Sequence, residues 1–330
     1  MVSVVEILVG LVIILAGAKL FTNSIEWVGK KLKVTKGAVG SIFAAVGTAL
    51  PETMVPVVAI VFGAGTVGHE IGIGAILGAP FMLSTVAFVV IGAAAILSPG
   101  RESQDVYGGR CLRRDLGFFM IVFPVAVGAA YVPPAFRSLV VVFLILAYLF
   151  FVYRTFREGE CYTADEMIEP LLFARRKENP RFPLVVFQVL TALGAIIFGA
   201  RVFVDGVTFL ATELGVPALL FSLLIAPVAT EMPEKFNSVI WIGEDKDTLA
   251  LGNVTGAMVF QSSLITALGI ALTPWELTGA AFASAALATA SAFVAYMYFH
   301  FKGRLSSRLM IAVGGGFYGL FILAVVAGLR

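Results

Sequence analysis

Apolar residues form long runs that recur from one end of the chain to the other. Most runs carry few charges and extend for about 18 residues or more, which is the length that a helix needs to cross ~30 Å of hydrocarbon. The residue-by-residue alternation of a membrane β-barrel strand is absent from the sequence. The pattern therefore predicts an all-α polytopic membrane protein.

Ten runs define ten predicted transmembrane helices, joined by connections that are mostly short. Their approximate limits are 4–24, 37–62, 71–97, 116–133, 136–154, 183–206, 215–242, 248–271, 276–300 and 307–328. The longest connection is polar and lies near the middle of the chain. We therefore divide the chain into an N-terminal five-helix unit over 1–154, a linker loop over 155–182 and a C-terminal five-helix unit over 183–330.

Charge is scarce and unevenly placed. Charged residues make up 13% of the chain and hydrophobic residues 59%, a composition that excludes an ordinary soluble domain. Basic residues cluster in the odd-numbered connections. The clusters are Lys30, Lys31, Lys33 and Lys36; Arg101, Arg110, Arg113 and Arg114; Arg157, Arg175, Arg176, Lys177 and Arg181; Lys246; and Lys302 with Arg304. The positive-inside rule then predicts a plasma-membrane protein with these loops in the cytoplasm and both termini outside. Cys111 and Cys161 also fall in these loops, where free thiols are expected.

The two units resemble each other in sequence. Residues 17–21, GAKLF, align with residues 199–203, GARVF, and the same spacing aligns PE at 51–52 with PE at 233–234. After a small gap, residues 74–78, GAILG, align with GNVTG at 252–256. Because each unit contains an odd number of helices, the second must enter the membrane from the opposite side. The sequence therefore predicts two inverted five-helix repeats, an architecture of many secondary transporters.

The strongest chemical signal is the motif GTALPE at 47–52, with its partner ATEMPE at 229–234. A proline inside a helix removes a backbone hydrogen bond and frees carbonyl groups, here near Thr48 and Thr230. Freed carbonyls at membrane depth persist where they line a cavity or bind something. Glu52 and Glu234 add a carboxylate at each break, and this set of hard oxygens suits Ca²⁺, Na⁺ or H⁺. The plain alternative is a pair of proline kinks with protonated structural glutamates.

On these residues the sequence resembles the calcium/cation antiporter superfamily, in particular its prokaryotic sodium/calcium exchanger-like members. The family motif is roughly G-T-S-L-P-E, followed by G-N-x-x-G-S-N-x-x-N/D, in each half. The resemblance covers nearly the whole chain. It implies that Glu52 and Glu234 are the principal cation ligands and that Thr48 and Thr230 contribute oxygens. It also implies that predicted helices one and six are the moving elements.

The second motif departs from the family pattern. Ala75, Ala79 and Leu83 stand where the first half of the family usually has Asn, Ser and Asn. In the second half Asn253 is kept, and Gln261 stands at the position of an acidic or amide ligand. Because positions 253, 257 and 261 are spaced by four, they share one helix face. The site is therefore expected to be polar in the second half and apolar in the first.

Two residues at the second Pro-Glu motif are candidates to compensate for the missing ligands. Glu231 replaces the family Ser and either adds a third carboxylate to the site or lies exposed at a cavity mouth. Lys235 follows Glu234 at membrane depth. It is either a built-in counter-ion of the empty site or a side chain that snorkels to the cytoplasmic interface, ~12 Å away.

These features favour a secondary active cation antiporter that exchanges Ca²⁺ or a related cation for Na⁺ or H⁺ by alternating access. The candidate metal ligands are Glu52, Glu234, Thr48, Thr230, Glu231, Gln261 and Asn253. A cation channel or uniporter, and a relative with an altered site that no longer transports, are the alternatives. The expected partners are inorganic cations and the lipid bilayer. No enzyme activity, resident cofactor, nucleic-acid partner or obligate protein partner is expected.

Overall fold

The computed structural model describes residues 2–32, 52–63, 65–101, 103–158 and 169–329. Most of these residues are helical, as the apolar runs predict. The α-helices in this part of the chain are α1 (Val2–Lys31), α2 (Glu52–Phe62), α3 (Gly65–Ser84), α4 (Val86–Leu97), α5 (Gly109–Gly128), α6 (Pro134–Glu158), α7 (Phe182–Leu214), α8 (Ala218–Thr230), α9 (Met232–Gly243), α10 (Asp247–Phe260), α11 (Thr266–Leu272), α12 (Gly279–Lys302) and α13 (Ser307–Val326). The other regular elements described are two short 3₁₀ turns, a π-helical segment and two two-residue strands. They are Ala129–Tyr131 and Leu172–Ala174; Gln261–Ile265; and β1 (Asp105–Val106) with β2 (Leu305–Ser306).

Eight helical stretches among the described residues are long and apolar enough to cross a membrane, so the protein is a multi-pass membrane protein. Two shorter apolar helices, Glu52–Phe62 and Ala218–Val228, fall in predicted spans two and seven. The predicted total of ten spans is therefore not confirmed among the described residues. Residues 37–51 of predicted span two lie outside the described residues, and span seven is divided into α8 and α9.

The helices pack as two groups. Helix α1 lies along α7, and a smaller hydrophobic core joins this pair to α2, α3 and α8. In the larger group α5 contacts α10 and α12, α4 contacts α13, and α6 contacts α11. The main hydrophobic core lies within this second group. Helix α3 packs on α8 and so connects the groups.

Small residues let α3 approach α8 closely. A Cβ atom on Gly78 would lie 2.2 Å from the carbonyl oxygen of Leu223, and one on Gly74 would lie 2.3 Å from that of Leu219. Both glycines belong to the 74–78 segment, so small residues there permit close helix packing. Because α8 ends at Thr230, this contact fixes the second motif relative to α3.

Polar contacts join odd-numbered loops on one side of the molecule. Arg101 in loop three forms a bidentate bridge with Asp247 at the start of α10, with N–O distances of 2.8 and 3.0 Å. Hydrogen bonding to Asp247 raises the pKa of Arg101. Strand β1 of loop three pairs antiparallel with β2 of loop nine. Loops three, seven and nine therefore share one side, as the distribution of basic residues requires.

The described end of the linker packs against α1 and α7. Asn23 Nδ2 on α1 donates to the carbonyl of Pro170 at 3.2 Å, and the N–H of Leu172 donates to Asn23 Oδ1 at 2.9 Å. Gln188 Nε2 on α7 donates to the same Asn23 Oδ1 at 3.0 Å. These contacts join the linker to the helix pair that the family resemblance predicts to move.

The expectation of free thiols is wrong for Cys111, which lies in the first turn of α5. Cys111 is buried and disulfide-bonded. The sequence has one other cysteine, Cys161, which lies outside the described residues. Since disulfides persist mainly in oxidising compartments, the cysteines do not support the predicted orientation, and it rests on the basic residues alone.

Candidate functional site

The second Pro-Glu motif interrupts predicted span seven. Helix α8 ends at Thr230, and α9 begins at Met232, with Glu231 between them. Pro233 occupies the first turn of α9, where its missing N–H is tolerated, although it cannot donate to the preceding turn. The helix break predicted from the sequence is therefore confirmed in the second half. The corresponding break near Thr48 falls outside the described residues.

Five side chains from the two halves of the chain come together beside this break. Glu52 begins α2, and Gln261 begins the π-helical segment. Glu231 lies between α8 and α9, and Glu234 and Lys235 lie in the first turn of α9. All five are buried, with at most 9% of any residue exposed. We call these five residues the carboxylate cluster.

The two halves meet through direct contacts between side chains. Gln261 Nε2 donates a hydrogen bond to Glu52 Oε2. The charges of Glu231 and Glu234 act on Glu52 from nearby. Like charges that are buried together are unfavourable unless a proton or a cation neutralises them. The arrangement therefore concentrates negative charge from both repeats in one buried place.

Lys235 points into the cluster. Its Nζ donates to Glu231 Oε2 at 3.1 Å, and its charge acts on Glu52 and Glu234. Lys235 is 9% exposed and Glu231 is fully buried. The snorkelling alternative for Lys235 and the cavity-mouth alternative for Glu231 are both wrong. The alternative in which Lys235 is an internal counter-ion agrees with these contacts, although its partner is Glu231.

Four buried oxygen atoms of the cluster have no hydrogen-bond partner. They are Glu52 Oε1, Glu231 Oε1, Glu234 Oε2 and Gln261 Oε1. Leaving one such buried acceptor unsatisfied costs about 1–3 kcal/mol, and more when the group is charged. A concentration of unpaired oxygens in one place therefore calls for a ligand. Carboxylate and amide oxygens are ligands for hard cations such as Ca²⁺.

The described glutamates alone do not form a complete metal-binding site. Within the described residues, no three carboxylate, imidazole or thiol groups are arranged to hold a metal ion. A bound metal ion would therefore also need the amide oxygen of Gln261 or backbone carbonyls.

Two predicted ligands use their side chains to hold the break. Asn253 Nδ2 donates to the carbonyl oxygen of Glu234 at 3.1 Å and to Ser238 Oγ at 3.4 Å. Thr230 Oγ1 donates to the carbonyl oxygen of Ala226 at 3.2 Å. These contacts support the backbone beside the carboxylates, and a direct role of either residue as a cation ligand stays a prediction.

Hydroxyl pairs mark a helix irregularity in each half, which the sequence reasoning missed. Helix α3 gives way to α4 at Ser84 and Thr85, where both hydroxyls donate to the carbonyl of Phe81. The repeat alignment matches these positions with residues 262–263 in the π-helical segment. There Ser262 and Ser263 both donate to the carbonyl of Val259. Such π-helical turns are frequent at functional sites, and the paired hydroxyls in both repeats were the available signal.

A buried carboxylate on α5 was also missed. Asp115 has no exposed surface, and it accepts hydrogen bonds from Thr255 Oγ1 at 2.8 Å and from Arg114 at 2.9 Å. It therefore joins α5 to α10. The sequence reasoning assigned Arg114 to a cytoplasmic loop and gave no role to its neighbour.

Comparison with known proteins places the chain in a family. The family model described as "Sodium/calcium exchanger protein" matches residues 2–157 and 184–329. Among curated relatives, "Inner membrane protein YrbG" of Escherichia coli is 23% identical over 82% of this chain and 80% of its own length. "Sodium/calcium exchanger MaX1" of Methanosarcina acetivorans is 26% identical over 79% of this chain and 81% of its own length.

Solved structures share the fold. The structure titled "Crystal Structure of H+/Ca2+ Exchanger CAX" has a TM-score of 0.77 at 16% identity and covers 98% of this chain and 82% of its own. A structure of the sodium-calcium exchanger NCX_Mj, soaked with Na⁺ and Sr²⁺, has a TM-score of 0.57 at 20% identity and covers all of both chains. At these identities the likeness concerns the fold alone.

Proposed function

We propose, from the premise that this chain belongs to the sodium/calcium exchanger protein family, that it is a secondary active cation antiporter working by alternating access. The exchanged ions are a divalent cation, Ca²⁺ or a related ion, and H⁺ or Na⁺. The observation that carries this proposal is the buried carboxylate cluster at the α8–α9 break, with four oxygens that lack a hydrogen-bond partner. Glu52 and Glu234 are its principal ligands, and Thr48 and Thr230 are further candidates.

The burial of the Glu52 and Glu234 carboxyl groups favours H⁺ as the exchanged monovalent ion. A buried carboxylate is unfavourable unless a proton or a bound cation neutralises it. A divalent cation that binds both carboxylates must displace the protons they carry, so the two loads compete for the same oxygens. The departures from the family motif at Ala79 and Leu83 also remove two polar side chains from the first half.

We propose ten transmembrane helices in two inverted repeats, over 1–154 and 183–330, joined by the linker 155–182. Helix contacts that come in exchanged pairs support this architecture. Helix α5 packs on α10 as α12 packs on α3, and α6 packs on α11 as α13 packs on α4. The family model also matches once on each side of the linker. On the positive-inside rule, the protein lies in the plasma membrane with both termini outside.

Ion-flux measurements in liposomes test the proposed function. Purified protein is reconstituted, and Ca²⁺ or Mn²⁺ uptake is measured under an outward H⁺ gradient, an outward Na⁺ gradient or neither. The wild type is expected to take up the divalent cation against a monovalent gradient, whereas Glu52→Gln and Glu234→Gln fall to the level of empty liposomes. Glu213→Gln, which alters an exposed carboxylate at the end of α7, is the matched control and keeps the wild-type rate.

The same assay separates the alternatives. Uptake at channel rates without counterflow would favour a channel or uniporter. Protein that moves no Ca²⁺, Mn²⁺, Na⁺ or H⁺, with Glu52→Gln indistinguishable from wild type, would leave only a relative that no longer transports.

A further inference from the structure

Lys235 stands at a place where a cation is electrostatically unfavourable unless carboxylates hold it. It lies in the first turn of α9, where the helix dipole presents partial positive charge. Only 9% of the residue is exposed, so water does not supply the missing stabilisation. The cluster carboxylates do, through the 3.1 Å contact with Glu231 and the longer-range attraction to Glu52 and Glu234.

This arrangement exists once in the molecule. The repeat alignment matches Lys235 with Thr53 and Glu231 with Ala49. The second half therefore adds both a fixed positive charge and a third carboxylate to a site that otherwise has one glutamate from each half. An internal cation in one repeat cannot be explained as part of the repeated ligand set.

We propose that Lys235 is a tethered resident cation that sets the charge of the carboxylate cluster at minus two and thereby makes the exchange electroneutral. The inference rests on the proposed antiporter function. Glu52, Glu231 and Glu234 contribute three negative formal charges and Lys235 one positive charge. One divalent cation neutralises the remaining charge of minus two, and two monovalent cations also neutralise it. Each cycle then moves one divalent ion in one direction and two monovalent ions in the other, with no net charge.

The proposal assigns different roles to the two oxygens of Glu231. Oε2 accepts the hydrogen bond of Lys235, and Oε1 is unpaired and buried. Glu231 therefore holds the tether while offering its other oxygen to the cargo. A divalent ion and the monovalent ions that replace it therefore compete for the unpaired oxygens of the cluster.

Charge-altering variants make the tether testable through membrane voltage. Lys235→Gln leaves a site of minus three, which three monovalent ions would neutralise, so each cycle moves one net charge. Glu231→Gln leaves a site of minus one, and its cycle moves one net charge in the opposite sense. One charge per cycle changes the equilibrium accumulation of the divalent ion by about fiftyfold per 100 mV.

The experiment measures Ca²⁺ accumulation in liposomes whose potential is clamped with K⁺ and valinomycin. Wild type and Lys235→Arg are expected to accumulate Ca²⁺ independently of voltage. Lys235→Gln and Glu231→Gln respond to voltage with opposite signs. The double variant Glu231→Gln/Lys235→Gln returns the site to minus two and is expected to be independent of voltage again. This restoration would not follow if Lys235 were needed only for folding.

Lys246→Gln is the matched control. Lys246 pairs with Glu244 at 2.6 Å, but both side chains are half exposed, so this pair contributes little and lies outside the cluster. It is expected to keep wild-type accumulation at every voltage.

Different outcomes overturn the two proposals. A wild type that exchanges Ca²⁺ but responds to voltage as Lys235→Gln does would overturn the tether alone, as would single variants that stay independent of voltage. A wild type that moves no cation under any gradient would overturn the antiporter function and the tether with it. If neither single variant folds, a voltage response of the double variant would still contradict the tether.

Discussion

At the scale of single residues, Asn253 shows how a residue of the family motif can be assigned two different roles. The resemblance makes it a cation ligand, whereas the structure uses its amide N–H₂ group to hold the carbonyl of Glu234 and the hydroxyl of Ser238. The two roles make opposite predictions for Asn253→Asp. If Asn253 is a cation ligand, the carboxylate of the aspartate would strengthen the binding of a divalent cation. If Asn253 supports the backbone, the aspartate would weaken binding, because a carboxylate cannot donate the two hydrogen bonds.

We expect Asn253→Asp and Asn253→Ala both to weaken Ca²⁺ or Mn²⁺ binding, because the turn that carries Glu234 loses its support. The loss of buried hydrogen bonds should also lower stability by about 1–3 kcal/mol. Calorimetric titration of purified protein measures the binding. Ser238→Ala is the control, since it removes the longer of the two contacts and the hydrogen bond from Ser238 to the Ala250 carbonyl but leaves the contact with Glu234. Tighter binding by Asn253→Asp would instead identify Asn253 as a ligand.

The sequence could predict most residues of the carboxylate cluster but not the contacts between their side chains. Glu52, Glu234, Glu231 and Gln261 were predicted from motif positions, and the structure brings all four together. Lys235 was left between two alternatives because a long side chain near a helix end can reach either an interface or a buried carboxylate. Glu231 lies four residues before Lys235 and pairs with it. The burial of this pair decides between the alternatives, and burial depends on the packing of the whole fold.

At the scale of helices, the break at the proline was predictable, whereas the irregularities at the hydroxyl pairs were not. Pro233 removes a backbone donor, which is a local effect that any sequence reading can detect. The irregularities at the hydroxyl pairs fall on serine and threonine and not on a glycine or proline that would signal them. The pairs are Ser84 with Thr85 and Ser262 with Ser263. There the hydroxyls bond to carbonyls of the preceding turn, a competition that bends helices in some tertiary contexts and not in others.

The close contact between α3 and α8 gives a prediction at this scale. Gly78→Ala places a Cβ atom 2.2 Å from the Leu223 carbonyl oxygen, so the helices must separate. We expect this overpacking to cost about 1–3 kcal/mol and to lower the midpoint of thermal unfolding in detergent. It should also reduce cation flux, because α8 carries the break.

Gly194→Ala on α7 is the matched control for the contact between α3 and α8. A Cβ atom there meets nothing within 4 Å, and alanine is the better helix former by about 1 kcal/mol. It should be neutral or slightly stabilising. Equal effects of the two substitutions would show that close packing at Gly78 is not what matters.

At the scale of the whole molecule, the distribution of basic residues and the loop contacts agree on which loops share a side of the membrane. The loop contacts do not show which side is the cytoplasm. The bridge between Arg101 and Asp247 and the pairing of β1 with β2 place three odd-numbered loops together. Arg137 donates to the carbonyl of Pro274, which joins loops four and eight at the other end of the spans. The disulfide-bonded Cys111 lies at the odd-loop end, and its oxidation would be unusual in most cytoplasms.

Cysteine labelling at the two ends of α12 decides the orientation. Glu276 precedes this helix and Lys302 ends it, and both are exposed. In a chain without its native cysteines, we expect Glu276→Cys to react with a membrane-impermeant maleimide in intact cells. Lys302→Cys should react only after permeabilisation, because basic loops stay in the cytoplasm. Retained flux shows that each labelled variant is folded. The reverse pattern would place the disulfide in the oxidising compartment and would mean that loop charge does not set the orientation of this protein.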